Sequence, residues 1–307
     1  MLVYWLYKRL RRRLAQRRAA AGGVDTSRSS AVALATAPRA SRSRTAPRNT
    51  GTLGLVVHQA RYDLLGIWRN GQARFFTLVL PLLFLVIFVS VFGNETIGHS
   101  HVKTSTYYVP GIAALAIIAA SFVNLVISVT TERETGVLKR RRSTPVPASV
   151  LLAGRTLTAI VVSLTVMAVL LAVGAVFYGV QVNVSAIPAI AVTALLGSIT
   201  FCVLGYALST AIGSVDAAQP MVQAIMLPLY FISGVFIPNV SLPTWLQDVA
   251  RIFPVQHLAD GLHNAFDPTV HGSAFVGADI AVLLAWTAAG LLVALRRFTW
   301  MPVAAHA

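Results

Sequence analysis

The chain has 307 residues, 56% of them hydrophobic and only 11% charged, with a mean hydropathy of +0.71. A soluble globular domain needs far more charge to cover its surface, so this composition excludes one and points to a polytopic membrane protein. The net charge of +15 raises nucleic acid as a partner, but the placement of the cations argues otherwise.

Of the 25 Lys and Arg residues, 15 precede Phe75 and 5 lie within 132–150. With Arg155, Arg296 and Arg297, this puts 23 on one predicted side of a bilayer and leaves Lys103 and Arg251 on the other. Such a skew is what the positive-inside tendency leaves behind, and it explains the basicity without nucleic acid. Base-stacking aromatics are absent from 8–48, which also disfavours a nucleic-acid partner.

Residues 1–52 are rich in Ala, Ser, Thr, Arg and Pro and read as a disordered basic cytoplasmic tail attracted to anionic lipid. An organellar transit peptide is the alternative for this tract. From 53 to 70, Leu53, Val56, Val57, Ala60, Leu64, Ile67 and Trp68 recur at helical spacing among polar residues. This predicts an amphipathic helix lying in the membrane interface ahead of the first span. Six spans are then expected at 75–92, 108–131, 151–178, 187–212, 220–237 and 276–295, with a cytoplasmic turn at 214–219 and an external segment at 239–275. Residues 298–307 form a short tail, and both termini are placed in the cytoplasm. The single cysteine, Cys202, lies within an apolar run and has no internal partner.

The interruption at 132–150 orients everything else. Lys139, Arg140, Arg141 and Arg142 must sit in water, because each charge at the bilayer centre costs about 2.5–3.5 kcal/mol. Glu132, Arg133 and Glu134 extend the second span beyond the membrane, Gly136 permits a change of direction, and Pro145 and Pro147 discourage helix. Asn124 and Gln223 are the strongest polar side chains well inside the spans, and they are the candidates for a substrate path. Asp216 and Asp279 lie near span ends. A carrier driven by an ion gradient places an ionisable group at mid-membrane, and none is expected here. Nor does any stretch match the phosphate-binding pattern G-x-x-x-x-G-K-[ST]. Uphill transport would therefore take its free energy from a partner through a cytoplasmic surface. The substantial one within the span region is 132–150, and its residues suit equally an element that passes on a push and an ordinary basic loop obeying the positive-inside tendency.

The stretches TTERETGVLKRRRSTPVPASVLLAGR and FISGVFIPNVSLPTWLQDVARIFPVQHLADGLHNAF resemble the ABC-2 family of transport permeases, especially its bacterial drug- and lipid-export members. The likeness spans about residues 53–297. It implies an all-α fold of six transmembrane helices and no enzymatic activity in this chain. ATP and Mg would be bound by a separate ATP-binding cassette subunit on the cytoplasmic face, with a second permease, identical or paired, completing the assembly in the cell inner membrane. It assigns Glu132, Glu134, Gly136, Leu138, Thr144 and Pro145 to the region coupled to the ATPase. Gly154 and Arg155 become the small and basic pair opening the third span, and 53–74 the connecting helix. Ser233, Gly234, Pro238, Leu242, Pro243, Trp245, Leu246 and Pro254 fall to a partly re-entrant external hairpin. His263 stands where many members carry arginine.

The hairpin also follows from its own residues. Pro243, Trp245, Leu246, Val249, Ile252 and Phe253 form one apolar side of a short helix suited to the outer interface, with Asp248 and Arg251 able to pair on its wet side. A competing reading takes His257, Asp260, His263, Asp267 and His271 as an external metal site, which His99 and His101 could join.

Overall fold

A computed structural model of the chain describes residues 51–92, 104–137, 148–180, 183–236, 242–267, 270 and 274–297, and every regular element among them is helical. Helix α1 is Thr52–Arg69. A short helix α2, Gly71–Arg74, runs through a π-helical turn at Phe75–Val79 into α3, Leu80–Phe92. The widened turn immediately precedes Pro81, whose ring would crowd the carbonyl four residues back in a regular helix.

Helix α4, Thr104–Ile118, continues through a second π turn at Ala119–Val123 into α5, Asn124–Glu134. In that turn the Ser121 hydroxyl donates to the Ile117 carbonyl, and Asn124 N–H reaches back to Ala119. Every residue of α4 except Tyr107 is buried. A helix that is apolar all round belongs at the centre of a bundle, and α4 packs against α3, α6, α7 and α10.

Helix α6 is Ala148–Tyr178. A 3₁₀ turn at Val184–Ala186, capped by the Asn183 side chain, leads into α7, Ile187–Ser209. The fifth long helix, α8, spans Val215–Ile232, which corrects the expected boundaries of 220–237 and moves the turn to 210–214. The reason is a cap: the Ser214 hydroxyl accepts from Ala217 N–H at 3.3 Å, so the helix starts at Val215, and both Pro220 and Pro228 lie inside it. Two further helices, α9 at Thr244–Ala250 and α10 at Pro254–Phe266, precede α11, Gly277–Arg297.

Five of these stretches are long and apolar enough to cross a membrane: Thr104–Glu134, Val150–Tyr178, Val184–Ser209, Val215–Ile232 and Gly277–Arg297. The apolar helix Thr77–Phe92 is shorter. Small residues allow close approach between helices, as packing in lipid requires. Gly290 on α11 sits against Val203 and Leu204 of α7, and Thr200 bonds Thr287 at 2.8 Å across the same seam. Cys202 is fully buried beside it.

Helix α1 joins the bundle by a narrow face and turns part of its apolar side outward. Ala60 is buried, but Leu53, Val57 and Trp68 are exposed, at 77%, 52% and 63%. The contact with α6 runs instead through Val56, Gln59 and Ala60, which meet Gly154 and Thr158. Lipid tails are as apolar as leucine, so burying leucine inside the protein gains little, and close small-residue packing decides which face turns inward.

Helix α10 is buried along most of its length, with Val255, Leu258, Ala259 and Leu262 inaccessible. A methyl group at Gly197 would meet Leu258 Cδ1 at 2.5 Å, and one at Gly111 would meet the Val235 carbonyl oxygen at 2.6 Å. A leucine terminus can turn aside, whereas a carbonyl moves only with its backbone. Gly111→Ala is therefore expected to cost about 2 kcal/mol and Gly197→Ala less, read as the order of their melting temperatures in detergent.

Candidate coupling site at the charged end of the bundle

Helix α5 ends in Glu132, Arg133 and Glu134, and successive helical residues point about 100° apart. Three neighbours in sequence thus reach three different helices. Glu132 makes an ion pair with Arg155 at the start of α6, with side chains only 19% and 12% exposed, and Arg155 also reaches the Ser128 hydroxyl at 3.3 Å. Arg133, 3% exposed, donates to the Ser209 carbonyl at 2.9 Å and to the Ile212 carbonyl, just past the last turn of α7. Glu134 accepts from Val215 N–H at 2.6 Å, at the first turn of α8.

Each tie suits the helix end it meets. The C-terminal carbonyls of α7 lack intrahelical donors and carry the negative end of the helix dipole, which a guanidinium satisfies. The N-terminal amides of α8 carry the positive end, which a carboxylate satisfies. Beyond them Thr135 closes the helix, and Gly136 has φ 71°, a left-handed backbone that explains glycine there. Leu138, Lys139, Arg140, Arg141, Arg142, Thr144 and Pro145 lie outside the described residues.

Behind Arg155 a cavity of about 300 Å³ opens between α1, the α4–α5 helix and α6, with Tyr62, Asp63, Asn124, Ser128 and Thr158 in its wall. Asp63 Oδ1 accepts from Gln59 at 2.8 Å. Asn124 therefore faces a polar cavity at the charged end, whereas Gln223 is exposed on α8, so the structure does not bring these two together.

At the opposite end, Gly234 has φ 76° and its carbonyl accepts from the Tyr107 hydroxyl at 2.7 Å. Pro243 caps α9, Trp245 is 65% exposed, Leu246 is half-buried and Pro254 opens α10 from a buried position. Pro238 lies outside the described residues. Asp248 and Arg251 pair at 3.3 Å as the spacing predicts, but both are largely exposed and the pair stabilises little.

The histidines of α10 are turned to different helices. His257 bonds Asp279 on α11 at 2.7 Å and the Arg251 carbonyl at 2.8 Å. His263 stacks on Tyr107 of α4 with ring centroids 4.6 Å apart and donates to the Tyr107 carbonyl at 3.1 Å. Burial pushes the His263 imidazole down to about 4 and the Asp260 carboxyl up to about 6. Among the described residues no group of three His, Cys, Asp or Glu is placed to hold a metal ion, and His257 and His263, two members of the expected metal set, are directed to different helices. His99, His101 and His271 lie outside the described residues. The contact of His257 with Asp279 is legible only in three dimensions, since 22 residues separate them.

An all-helical bundle carrying five helices long and apolar enough to span a bilayer defines a multi-pass membrane protein. The sequence profile of the ABC-2 type transporter matches residues 57–266, and the chain belongs to that family. It is 24% identical over 220 residues to the inner membrane transport permease YadH of Escherichia coli (strain K12), covering 69% of this chain and 85% of the relative. It is 27% identical over 206 residues to the daunorubicin resistance ABC transporter permease protein DrrB1 of Streptomyces coeruleorubidus, covering 64% and 68%.

The Glu132–Arg155 pair can be measured directly. Glu132→Gln and Arg155→Gln are each expected to destabilise by about 2 kcal/mol. Together they cost less than the sum by about 1 kcal/mol, measured by thermal unfolding of the four chains of the cycle.

Proposed function

We propose that the chain is the membrane-spanning permease subunit of an ATP-binding cassette transporter, exporting a hydrophobic or amphipathic substrate such as a drug, lipid or glycolipid. ATP and Mg are bound by a separate subunit, which docks on the charged end at 132–147. The observation that carries this reading is the set of ties from Glu132, Arg133 and Glu134 to α6, α7 and α8. A push on the residues after Glu134 meets three helices at once, which is what transmission from a soluble motor requires.

In this reading the charged end is cytoplasmic, 75–92 crosses the inner membrane as the first of six spans, and both termini are inside. Helix α1 is the connecting helix in the inner leaflet. Helices α9 and α10 form the partly re-entrant external hairpin, with exposed Trp245 and Ile252 in the outer interface. Two permeases, identical or paired, enclose the path, and Asn124 lies at its polar inner end.

Co-expression with an ATP-binding subunit encoded beside it tests the proposal. The two are expected to co-purify, and reversing Lys139 to Arg142 to acidic residues is expected to abolish permease-dependent ATP hydrolysis. Transport that proceeds in vesicles without nucleotide would refute it.

A further inference from the structure

Helix α1 packs on α6 at Gly154 and Thr158, and beside that contact the two leave a groove of about 620 Å³ walled on a third side by the start of the 71–92 helix. Leu64, Trp68, Leu157 and Val161 give it an apolar floor, and Arg61 and Arg74 stand at its edge. Arg61, Leu64 and Trp68 recur at spacings of three and four, so one face of α1 presents cation and apolar surface together. The Arg74 guanidinium lies 5.8 Å from the centre of the Trp68 ring. Among the described residues that line the groove there is no carboxylate, and Asp63 is turned away into the separate 300 Å³ cavity.

We propose that this groove is a binding site for an anionic glycerophospholipid, with the acyl chain on Trp68, Leu157 and Val161 and the phosphodiester between Arg61 and Arg74. The charges select the occupant. A zwitterionic lipid such as phosphatidylcholine brings a headgroup cation that the two guanidinium groups repel, and a free inorganic anion makes no use of the apolar floor. Basic pockets beside membrane helices select anionic headgroups on this principle. The site stands apart from the proposed cargo path at Asn124 and holds whatever that cargo is.

Trp68 is the reporter. The full chain is reconstituted into phosphatidylcholine vesicles containing either brominated phosphatidylglycerol or brominated phosphatidylcholine, and the quenching of a Trp68→Phe variant is subtracted. Brominated phosphatidylglycerol is expected to quench Trp68 at a mole fraction lower by about tenfold. Arg61→Gln with Arg74→Gln should bring the two lipids to parity. Arg69→Gln, on the same helix but not lining the groove, should keep the preference. Equal quenching of the unsubstituted chain by both lipids would overturn the site. So would a preference reduced as much by Arg69→Gln as by the double variant, because general surface attraction would then account for it.

Discussion

In the proposed assembly, replacing Arg133 with Ala is expected to leave the ATP-binding subunit bound but to disconnect it, with ATP hydrolysis no longer responding to the permease. The substitution removes both donors that hold the end of α7, and the Ser209 and Ile212 carbonyls lose the guanidinium that answers them. Two charge-assisted bonds at a buried site correspond to about 3 kcal/mol. Arg133→Lys supplies one flexible ammonium in place of a two-pronged fork and should retain roughly half of the stability. Hydrogen exchange separates this from general unfolding: protection should fall at 206–217 and persist in α4. Equal loss of protection along the whole bundle would show Arg133 to be a packing residue only.

The second large effect concerns pH at the other end. Both ring nitrogens of His257 face oxygens, Asp279 Oδ1 and the Arg251 carbonyl, an arrangement that favours the protonated ring, which donates to both. The bond to Asp279 is the main cause that raises the His257 pKa, burial opposes it, and the Arg251 carbonyl and the charges of Asp279 and Asp260 add to the rise. The stabilisation from His257 is therefore complete below the ordinary imidazole value and lost as pH rises through the raised one. Asp260, at about 6, contributes in the same direction, since its charged form is disfavoured in the fold and stability falls as pH rises toward that value. His263 runs the opposite way: its value of about 4 means that stability is full above the ordinary imidazole value and is lost as pH falls toward 4. Below about pH 6.5, the ordinary imidazole value, the last two oppose each other, and well above it His257 alone sets the slope. Amide protection of α10 is expected to peak between these regimes and decline on the alkaline side. His257→Gln or Asp279→Asn should flatten that decline and speed exchange by about tenfold at neutral pH.

Much of the helical order is legible in the sequence because long runs without charge permit only one structure in lipid. The boundaries shift where a local cap outweighs the hydropathy pattern, as Ser214 does ahead of Pro220. Helix α5 continues to Glu134 because a helix does not stop at the edge of its apolar segment when its last charges find partners on other helices. Those partners lie 76 to 81 residues further along for Arg133 and Glu134, and no periodicity announces them. The depth of α10 is concealed for a related reason. His257, Asp260 and His263 read as part of an external metal site, yet each polar group is answered inside the bundle, by Asp279, Gln256 and the Tyr107 carbonyl.

The burial of Cys202 gives the chain a silent thiol. A membrane-impermeant maleimide finds no target on the intact protein, so the natural sequence serves as its own blank for single-cysteine labelling. Asp216 and Thr244 are exposed at opposite ends of the bundle, and Gly51 is exposed ahead of α1. A Gly51→Cys chain that labels from the same side as Asp216→Cys, and from the side opposite Thr244→Cys, would mean an odd number of crossings between Gly51 and α4.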